Sequence, residues 1–308
     1  MKKMKMYISI ATALVASFVF VTAVSARGTQ PTTGATYVVD DDSAECPHAD
    51  FTNIPDALAA ASDGDLIKVC AGNYDGDYLT KSVNIRGVGE ANIINGPLHS
   101  SGRVMGFRLL AGSDGAKIQH LNFDVDFPIM NGEGVNDVVI YDNTLTNPIQ
   151  GISNWTGNNW YIYYNTITDL RSTCGGGIGI LVGDYSGTES RFNRVTHNTI
   201  TGTLHVDEND CGGYDGTGIV IFADHRYGRV GGDVSNNLVS DNTISLVSDT
   251  PAVVDVNAIE LTDTRDDLTQ HDVVNNTVRY NDVSGTASGI VLTPENLDEF
   301  NSIYNNTL

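Results

Sequence analysis

Basic residues are scarce in this sequence. Its 308 residues include 17 Lys and Arg against 38 Asp and Glu, a formal net charge of -21, and three of the lysines stand in the first five residues. A surface of this charge repels phosphate backbones and acidic lipid, so nucleic acid is excluded as a natural partner. The acidity fits either solubility in a salty or extracellular medium or the binding of Ca²⁺.

Long apolar runs are also missing, with one exception near the N-terminus. The run extends from about Tyr7 to Ala23, follows Lys2, Lys3 and Lys5, and ends in the small residues 24–26. This pattern predicts a secretory signal over residues 1–26 that is cleaved after Ala26, with an uncleaved anchor as the alternative. Residues 27–308 are then one domain without a membrane span that is secreted, periplasmic or on the cell surface.

Residues 35–74 have the pattern of a strand, a short helix and a second strand. Thr52 or Asn53 can cap the helix, Pro55 suits its first turn, and Asp63-Gly64 ends it. The run 66–69 then reads as a buried strand. The segment resembles the N-terminal cap of right-handed parallel β-helix proteins, a group that includes pectate lyases and pectin methylesterases. The matching positions are Phe51, Thr52, Ile54, Ala57, Leu58, Ala60, Ala61, Gly64, Asp65, Ile67, Val69, Gly72 and Tyr74.

Two short repeats recur through the rest of the chain, as in a solenoid. In the first, an apolar pair is followed by Asn and a β-former; its asparagines are Asn143, Asn165, Asn198, Asn242, Asn276 and Asn306. The second resembles Gly-Ile-x-Ile and begins at Gly177, Gly218, Ala258 and Gly289. They predict an all-β right-handed parallel β-helix whose asparagines adopt the left-handed conformation and stack as a ladder. An antiparallel sandwich is the main rival, but Asn-Gly and Asp-Gly hairpin turns are few.

Cysteine is limited to four residues, and no Cys-x-x-Cys pair suggests a zinc site. An even number in an exported chain favours disulfides. Cys174 and Cys211 each precede a Gly-Ile strand and are expected to pair on adjacent loops. Cys46 and Cys70 are expected to tie the cap to the first rung. The last repeat stops at Leu308, which is compatible with a longer chain, a blunt last rung or a homo-oligomer formed through it.

Acidic residues follow the Gly-Ile strands at apparently equivalent places: Asp184, Asp224, Asp263 and Glu295, with Arg191, Arg226 and Arg265 soon after the first three. Paired carboxylates serve glycoside hydrolysis, whereas Ca²⁺-binding carboxylates with arginine serve the cleavage of acidic sugars by elimination. A structural column of Asp and Arg is the alternative. Histidine is the residue type commonly used as a base near neutral pH, and His225 is either a base or an exposed loop residue.

Two further groups are candidate ligand sites. Oxygen-rich side chains at Asp207, Glu208, Asp210 and Asp215 suit Ca²⁺, although the spacing is not that of an EF-hand and a solvated loop is the alternative. Trp155, Trp160 and Tyr185 are candidates for stacking on sugar rings. Motifs typical of pectin methylesterases, mannuronan epimerases, polygalacturonases and pectate lyases are missing. We therefore expect a carbohydrate-active lyase or glycoside hydrolase acting on an extended polysaccharide, with a non-catalytic glycan-binding or adhesion module as the rival.

Overall fold

The computed structural model describes residues 34–173, 177–206, 216–250, 256–265, 271–286, 288–293 and 300–308. These residues form a right-handed parallel β-helix, in which every pair of neighbouring strands in the three long sheets runs parallel. Each turn of the chain contributes one short strand to each sheet, so backbone N–H and C=O groups pair with the turns above and below. The predicted fold is confirmed, and an antiparallel sandwich is excluded.

Within the described ranges, sheet A has ten strands and sheets B and C have eight each. Sheet A comprises Thr36–Val39, Leu66–Val69, Asn84–Gly87, Lys117–Gln119, Val139–Tyr141, Tyr161–Tyr163, Arg194–Thr196, Leu238–Ser240, Thr277–Arg279 and Ser302–Tyr304. Sheet B comprises Gly72–Asp75, Ala91–Asn95, Asn122–Phe123, Thr144–Thr146, Thr166–Ser172, Thr199–Val206, Thr243–Ser248 and Asp282–Ser284. Sheet C comprises Tyr78–Leu79, Met105–Leu109, Phe127–Asn131, Gln150–Trp155, Ile178–Asp184, Gly216–Ala223, Val256–Asp263 and Ser288–Thr293. A small fourth sheet pairs Val234–Ser235 with Val273–Val274.

The interior is filled by apolar side chains of the strands, most of them branched. In sheet A, for example, Ile140, Ile162 and Val195 stack in register and are almost fully buried, while the residues on either side of them point outward. β-branched side chains suit this arrangement because they pack well on a pleated surface. The apolar pairs of the first sequence repeat therefore mark the strands of sheet A.

A short helix, Ile54–Ala60, closes the N-terminal end. The side chain of Asn53 accepts a hydrogen bond from the Asp56 N–H at 2.8 Å, which satisfies one of the free donors of the first turn. The helix ends at Ala60, earlier than the predicted stop at Asp63-Gly64. The backbone becomes extended at Ala61, and the ammonium group of Lys81 stabilises this end by donating to the carbonyl oxygens of Leu58, Ala59 and Ala61.

An asparagine ladder runs along the turn between sheets A and B. Each side-chain amide donates to the Oδ1 atom of the next asparagine at 2.9–3.0 Å, through Asn143, Asn165, Asn198, Asn242, Asn281 and Asn306. The main-chain N–H of each donates to the same oxygen. Every ladder asparagine is thus locked to the next rung by two hydrogen bonds.

The structure corrects two details of the predicted ladder. Asn281, and not Asn276, is the member of the first ladder between Asn242 and Asn306. Asn276 belongs to a second ladder on the other side of sheet A, which also contains Asn131, Asn154, Asn193, Asn237 and Asn301. The left-handed residues are those just before the asparagines, such as Asp142, His197 and Asp241, with φ between 51° and 58°. The asparagines keep ordinary φ values because their main-chain N–H groups must point along the ladder.

Cys46 and Cys70 form the expected disulfide between the cap and the first rungs. Cys174 and Cys211 lie outside the described residues. We expect the double substitution Cys46→Ser/Cys70→Ser to lower the free energy of unfolding by about 3 kcal/mol, because the bond closes a loop in the unfolded chain. Urea unfolding under oxidising conditions measures this, and an unchanged midpoint would contradict it.

The register of sheet C differs from the alignment of the sequence repeats. Ile180 pairs with Ile219, so Gly179 and not Gly177 is equivalent to Gly218. As a result, Asp184 and Asp263 both pair with Ala223, and Asp224 lies one residue further along its rung. The Gly-Ile motif gave the wrong alignment because the same dipeptide occurs twice in succession, as Gly177-Ile178 and Gly179-Ile180.

No helix in the ranges described above has the length and hydropathy to cross a membrane.

The last rung leaves apolar side chains in contact with solvent. In this rung, Ile290, Leu292 and Ile303 are only partly buried and Leu308 is 75% exposed. Homo-oligomer formation through this rung stays a prediction.

Candidate functional site

A cleft of about 340 Å³ lies against the outer face of sheet C. Its lining is rich in aromatic and cationic side chains. The aromatic residues are Phe127, Trp155, Tyr185, Phe222 and Tyr227, the arginines are Arg108, Arg226 and Arg229, and the remaining residues include His99, Ser101, Asn131 and Gln150. Among the described residues that line it, none is Asp or Glu.

The floor of the cleft follows from the strand register. Arg108, Met130, Ser153 and Leu181 are paired neighbours in successive strands and form a column on the outer face. Arg108, Met130 and Leu181 line the cleft, whereas Ser153 is fully buried. Adjacent strands are about 4.8 Å apart, and the column therefore extends for about 14 Å along the helix axis. A linear polymer laid along this axis would contact one strand after another.

Trp155 is the central residue of the aromatic cluster that lines the cleft. Its ring makes an edge contact with Tyr185 at 5.2 Å and a tilted contact with Phe222 at 5.6 Å between centroids. The Tyr185 hydroxyl donates to the carbonyl of Gly132 at 3.2 Å, which holds the ring in place. Trp155 and Tyr185 are thus two of the predicted stacking residues, and the structure places them in one cleft.

Trp160 does not belong to this site. Its side chain is fully buried, and its indole N–H donates to the Val135 carbonyl at 2.8 Å. The structure therefore contradicts the expectation that Trp160 contacts a substrate. Because it directly precedes the strand Tyr161–Tyr163, it packs into the interior of the turn, where its large apolar ring is removed from water.

One wall of the cleft is the loop that follows the strand Gly216–Ala223. A 3₁₀ turn at Arg226–Gly228 brings the guanidinium of Arg226 over the Phe222 ring, 4.9 Å from its centroid. Arg229 lies over the Tyr185 ring at 5.4 Å. Guanidinium groups over aromatic faces are held by cation–π attraction, which keeps both charges directed at the cleft.

Asp224 anchors both arginines from below. The carboxylate is completely buried, accepts hydrogen bonds from Arg226 Nε at 2.8 Å and from the Arg226 N–H at 3.1 Å, and also pairs with Arg229. Burial opposes ionisation of the carboxyl group, but the hydrogen bonds and charge of Arg226 and the bond from Arg229 outweigh it and hold the pKa below its usual value. Asp224 is therefore an ionised support for the arginines and has no surface on the cleft.

The other two predicted carboxylates are also buried beneath turns. Asp184 accepts hydrogen bonds from the main-chain N–H groups of Ser186 and Gly187 at 2.9 Å and from the hydroxyl of Thr188 at 2.6 Å. Asp263 accepts from the main-chain N–H groups of Arg265 and Asp272 at 3.0 Å. Each stabilises the turn that follows its strand, as Asp side chains commonly do. Arg265 pairs with Asp272, and Arg191 pairs with Glu189 and Asp233.

His225 connects the loop that carries Arg226 and Arg229 to the next rung. Its Nδ1 atom accepts the Gly231 N–H at 3.1 Å, so in the neutral ring the proton is on Nε2, which faces Asp272 at 3.0 Å and Asp263 at 3.4 Å. A metal ion would need the lone pair of Nε2, and Arg265 already neutralises Asp272. His225, Asp263 and Asp272 therefore fit a hydrogen-bonded joint better than a metal site.

Several cleft residues were not foreseen from the sequence. Arg108 and His99 stand on the early rungs, where the asparagine repeat is missing, and Arg229 and Phe222 carry no motif. Burial lowers the pKa of His99, and the charge of Arg108 lowers it further. The alternation of inward and outward residues in the strand Met105–Leu109 was the only signal for Arg108.

Five of the predicted acidic site residues lie outside the described residues. They are the proposed Ca²⁺ ligands Asp207, Glu208, Asp210 and Asp215, and also Glu295.

Comparisons with known proteins find similar folds only. No protein-family model and no curated protein sequence matches the chain. Among solved structures, the catalytic domain of GH87 alpha-1,3-glucanase in complex with tetrasaccharides is 13% identical, with a TM-score of 0.36 over 91% of this chain and 70% of that chain. A pectin methylesterase in complex with a hexasaccharide is 13% identical, with a TM-score of 0.35 over 83% and 81%. An alginate lyase from a Paenibacillus species is 16% identical, with a TM-score of 0.33 over 82% and 91%. The fold assignment of this chain therefore rests on its own strand pairing.

Proposed function

We propose that this protein is a secreted, carbohydrate-active β-helix that binds an acidic polysaccharide in the cleft on sheet C. The observation that carries the proposal is a cleft lined by three arginines and five aromatic rings, with no carboxylate among its described lining residues, in a chain of net charge -21. Aromatic faces stack on the apolar faces of sugar rings, and arginine pairs with carboxylate groups. The column from Arg108 to Leu181 gives the polymer a path along the helix axis.

Elimination fits this cleft better than hydrolysis. Glycoside hydrolysis uses two carboxyl groups that flank the scissile bond, whereas Asp184, Asp224 and Asp263 are buried and saturated with hydrogen bonds. Cleavage of a uronate by elimination needs cations that neutralise the sugar carboxylate and a group that removes the adjacent proton. Arg108, Arg226 and Arg229 supply the cations. Among the described residues of the cleft lining, His99, Tyr185 and Tyr227 carry the side chains that could remove this proton.

Binding is tested by titrating polygalacturonate and alginate, with neutral dextran as the comparison. We expect Trp155→Ala and Arg108→Gln each to weaken binding of the acidic polymers roughly tenfold, because a factor of ten corresponds to about 1.4 kcal/mol of lost contact. Phe300→Ala is the matched control, since Phe300 is 47% exposed and lies outside the cleft. Equal affinity for dextran, or wild-type binding by both cleft variants, would contradict the proposal.

The reaction is tested with the same polymers. A lyase releases unsaturated sugars, detected by their ultraviolet absorbance, whereas a hydrolase releases reducing ends without that absorbance. A glycan-binding or adhesion module is the second candidate, because no carboxylate is found among the residues that the structure describes in the cleft lining. Such a module would retain the polymer with no turnover. Adding and removing Ca²⁺ shows whether the acidic segment 207–215 contributes.

Export is part of the proposal. The disulfide between Cys46 and Cys70 supports it, because such bonds persist in oxidising compartments. Mass spectrometry of the protein recovered from the medium or periplasm is expected to show a chain that begins at Arg27. A cell-retained chain with residues 1–26 attached would contradict it.

A further inference from the structure

The outer face of sheet A combines positive charge with aromatic rings and has no acidic residue in its strands. Each of its ten described strands places two side chains outward, and none of these twenty is Asp or Glu. Five are basic: Lys68, Arg86, Lys117, Arg194 and Arg279. The whole chain has 17 Lys and Arg, so this one face holds a large share of its cations.

A stack of tyrosines occupies the middle of the face. Tyr161 stacks on Tyr163 with ring centroids 4.1 Å apart, and Tyr163 stacks on Tyr141 of the neighbouring strand at 4.6 Å. Tyr161 is 38% exposed. Because the rings support one another, they form a rigid aromatic platform that loses little side-chain entropy when a ligand contacts it.

The cations lie on both sides of this platform. Lys117 is two strands before Tyr161, and Arg194 is the next strand after it. Arg86, Lys117 and Arg194 are exposed, and in the part of the chain that the structure describes they take part in no ion pair. From Lys68 to Arg279 the face spans seven strand spacings, or about 34 Å at 4.8 Å each.

We infer that the outer face of sheet A is a second polysaccharide-binding surface, separate from the cleft on sheet C, for a linear polymer that carries spaced carboxylates. Five cations over about 34 Å match a polymer with charges separated by neutral sugars. Double-stranded DNA, with a charge every 1.7 Å or so, would meet too few cations and a strongly acidic chain. The inference does not depend on the proposed function of the cleft.

The test uses hyaluronan, in which acidic and neutral sugars alternate, and the full chain. The background variant is Arg108→Gln/Trp155→Ala, which removes cleft contacts. We expect it to retain hyaluronan binding. The added substitutions Arg86→Gln, Lys117→Gln and Arg194→Gln should weaken that binding roughly tenfold in total, because each removes one exposed charge pair of modest strength. The dependence of affinity on salt should also become shallower.

Two controls separate this inference from its alternatives. Tyr161→Ala leaves the net charge unchanged and is expected to weaken binding, whereas Phe300→Ala is expected to have no effect. Unchanged binding in the triple variant would overturn the inference, as would tighter binding of DNA or anionic vesicles than of hyaluronan, or a triple variant that changes only the oligomeric state. If instead Arg108→Gln/Trp155→Ala binds every acidic polymer as well as wild type does, the cleft proposal fails and the sheet A surface stands.

Discussion

Replacing Asn198 with alanine is expected to lower the free energy of unfolding by about 4 kcal/mol. Its amide donates to Asn242 and to the Ile162 carbonyl, and its Oδ1 atom accepts both the main-chain and side-chain N–H groups of Asn165. Alanine leaves several of these buried groups without a partner, and each unsatisfied group costs about 1–3 kcal/mol. Urea unfolding followed by circular dichroism measures the loss.

The matched control for Asn198→Ala lies in a shorter row on sheet B. The Asn92 amide donates to Asn73 at 3.2 Å and its Oδ1 atom accepts from Asn122 at 3.0 Å, but the first of these bonds is exposed and the second only partly buried. Water can replace its hydrogen bonds, so Asn92→Ala should cost less than about 1 kcal/mol. Similar losses for the two variants would show that the buried ladder has no special role in stability.

Replacing Asp224 with asparagine is expected to disable the cleft as well as to destabilise the fold. Breaking a buried ion pair commonly costs 3–5 kcal/mol. We expect about 3 kcal/mol here because Arg226 and Arg229 are 41% and 45% exposed and can be hydrated once released. Without the anchor, both guanidinium groups leave Phe222 and Tyr185, and affinity for acidic polymers should fall roughly a hundredfold, equivalent to about 2.7 kcal/mol.

The lowered pKa of Asp224 predicts that its contribution to the free energy of unfolding depends on pH. Because its pKa is lower in the folded protein than in the unfolded chain, the stability that it contributes is complete above the unfolded value of about 3.9 and is lost as the pH falls through the folded pKa. The difference in unfolding free energy between wild type and Asp224→Asn should therefore be full at pH 7 and shrink below about pH 4. A difference that stays constant into strong acid would refute the assigned role.

An Asp224→Asn variant that loses polymer cleavage does not by itself identify a catalytic carboxylate. If Asp224 acts by positioning the arginines, Arg226→Gln should reproduce the loss of binding. If it transferred a proton, the substitution would lower turnover and leave affinity unchanged. Separate measurements of affinity and turnover on both variants distinguish the two roles.

Much of the fold was predictable because a solenoid repeats its local physics at every turn. The apolar pairs and the asparagines recur in register, and each position meets its own equivalent one rung away, so the repeats indicated parallel stacking directly. The predicted disulfide between Cys46 and Cys70 and the helix cap at Asn53 were also local features. Asn276 was misplaced because two asparagine positions flank sheet A and both follow the same short pattern.

The site was predictable only in part. Trp155, Tyr185 and Arg226 line the same cleft, and their role there stays a prediction. Trp160 is buried away from the cleft, since the direction of a ring next to a turn is not encoded by strand alternation. Arg108 joins Arg226 in the cleft although the two are far apart in sequence. Only the pairing of intervening strands brings them to one face.

The amino-acid sequence by itself determined the parallel stacking, the ladder and the acidic character of the chain, because these depend on residue type and short-range spacing. The tertiary structure decided which carboxylates are buried as supports, which arginines face solvent over aromatic rings, and that no acidic side chain faces outward from the described strands of sheet A. These depend on strand register, where a shift of a single residue moves a side chain from the interior to the surface.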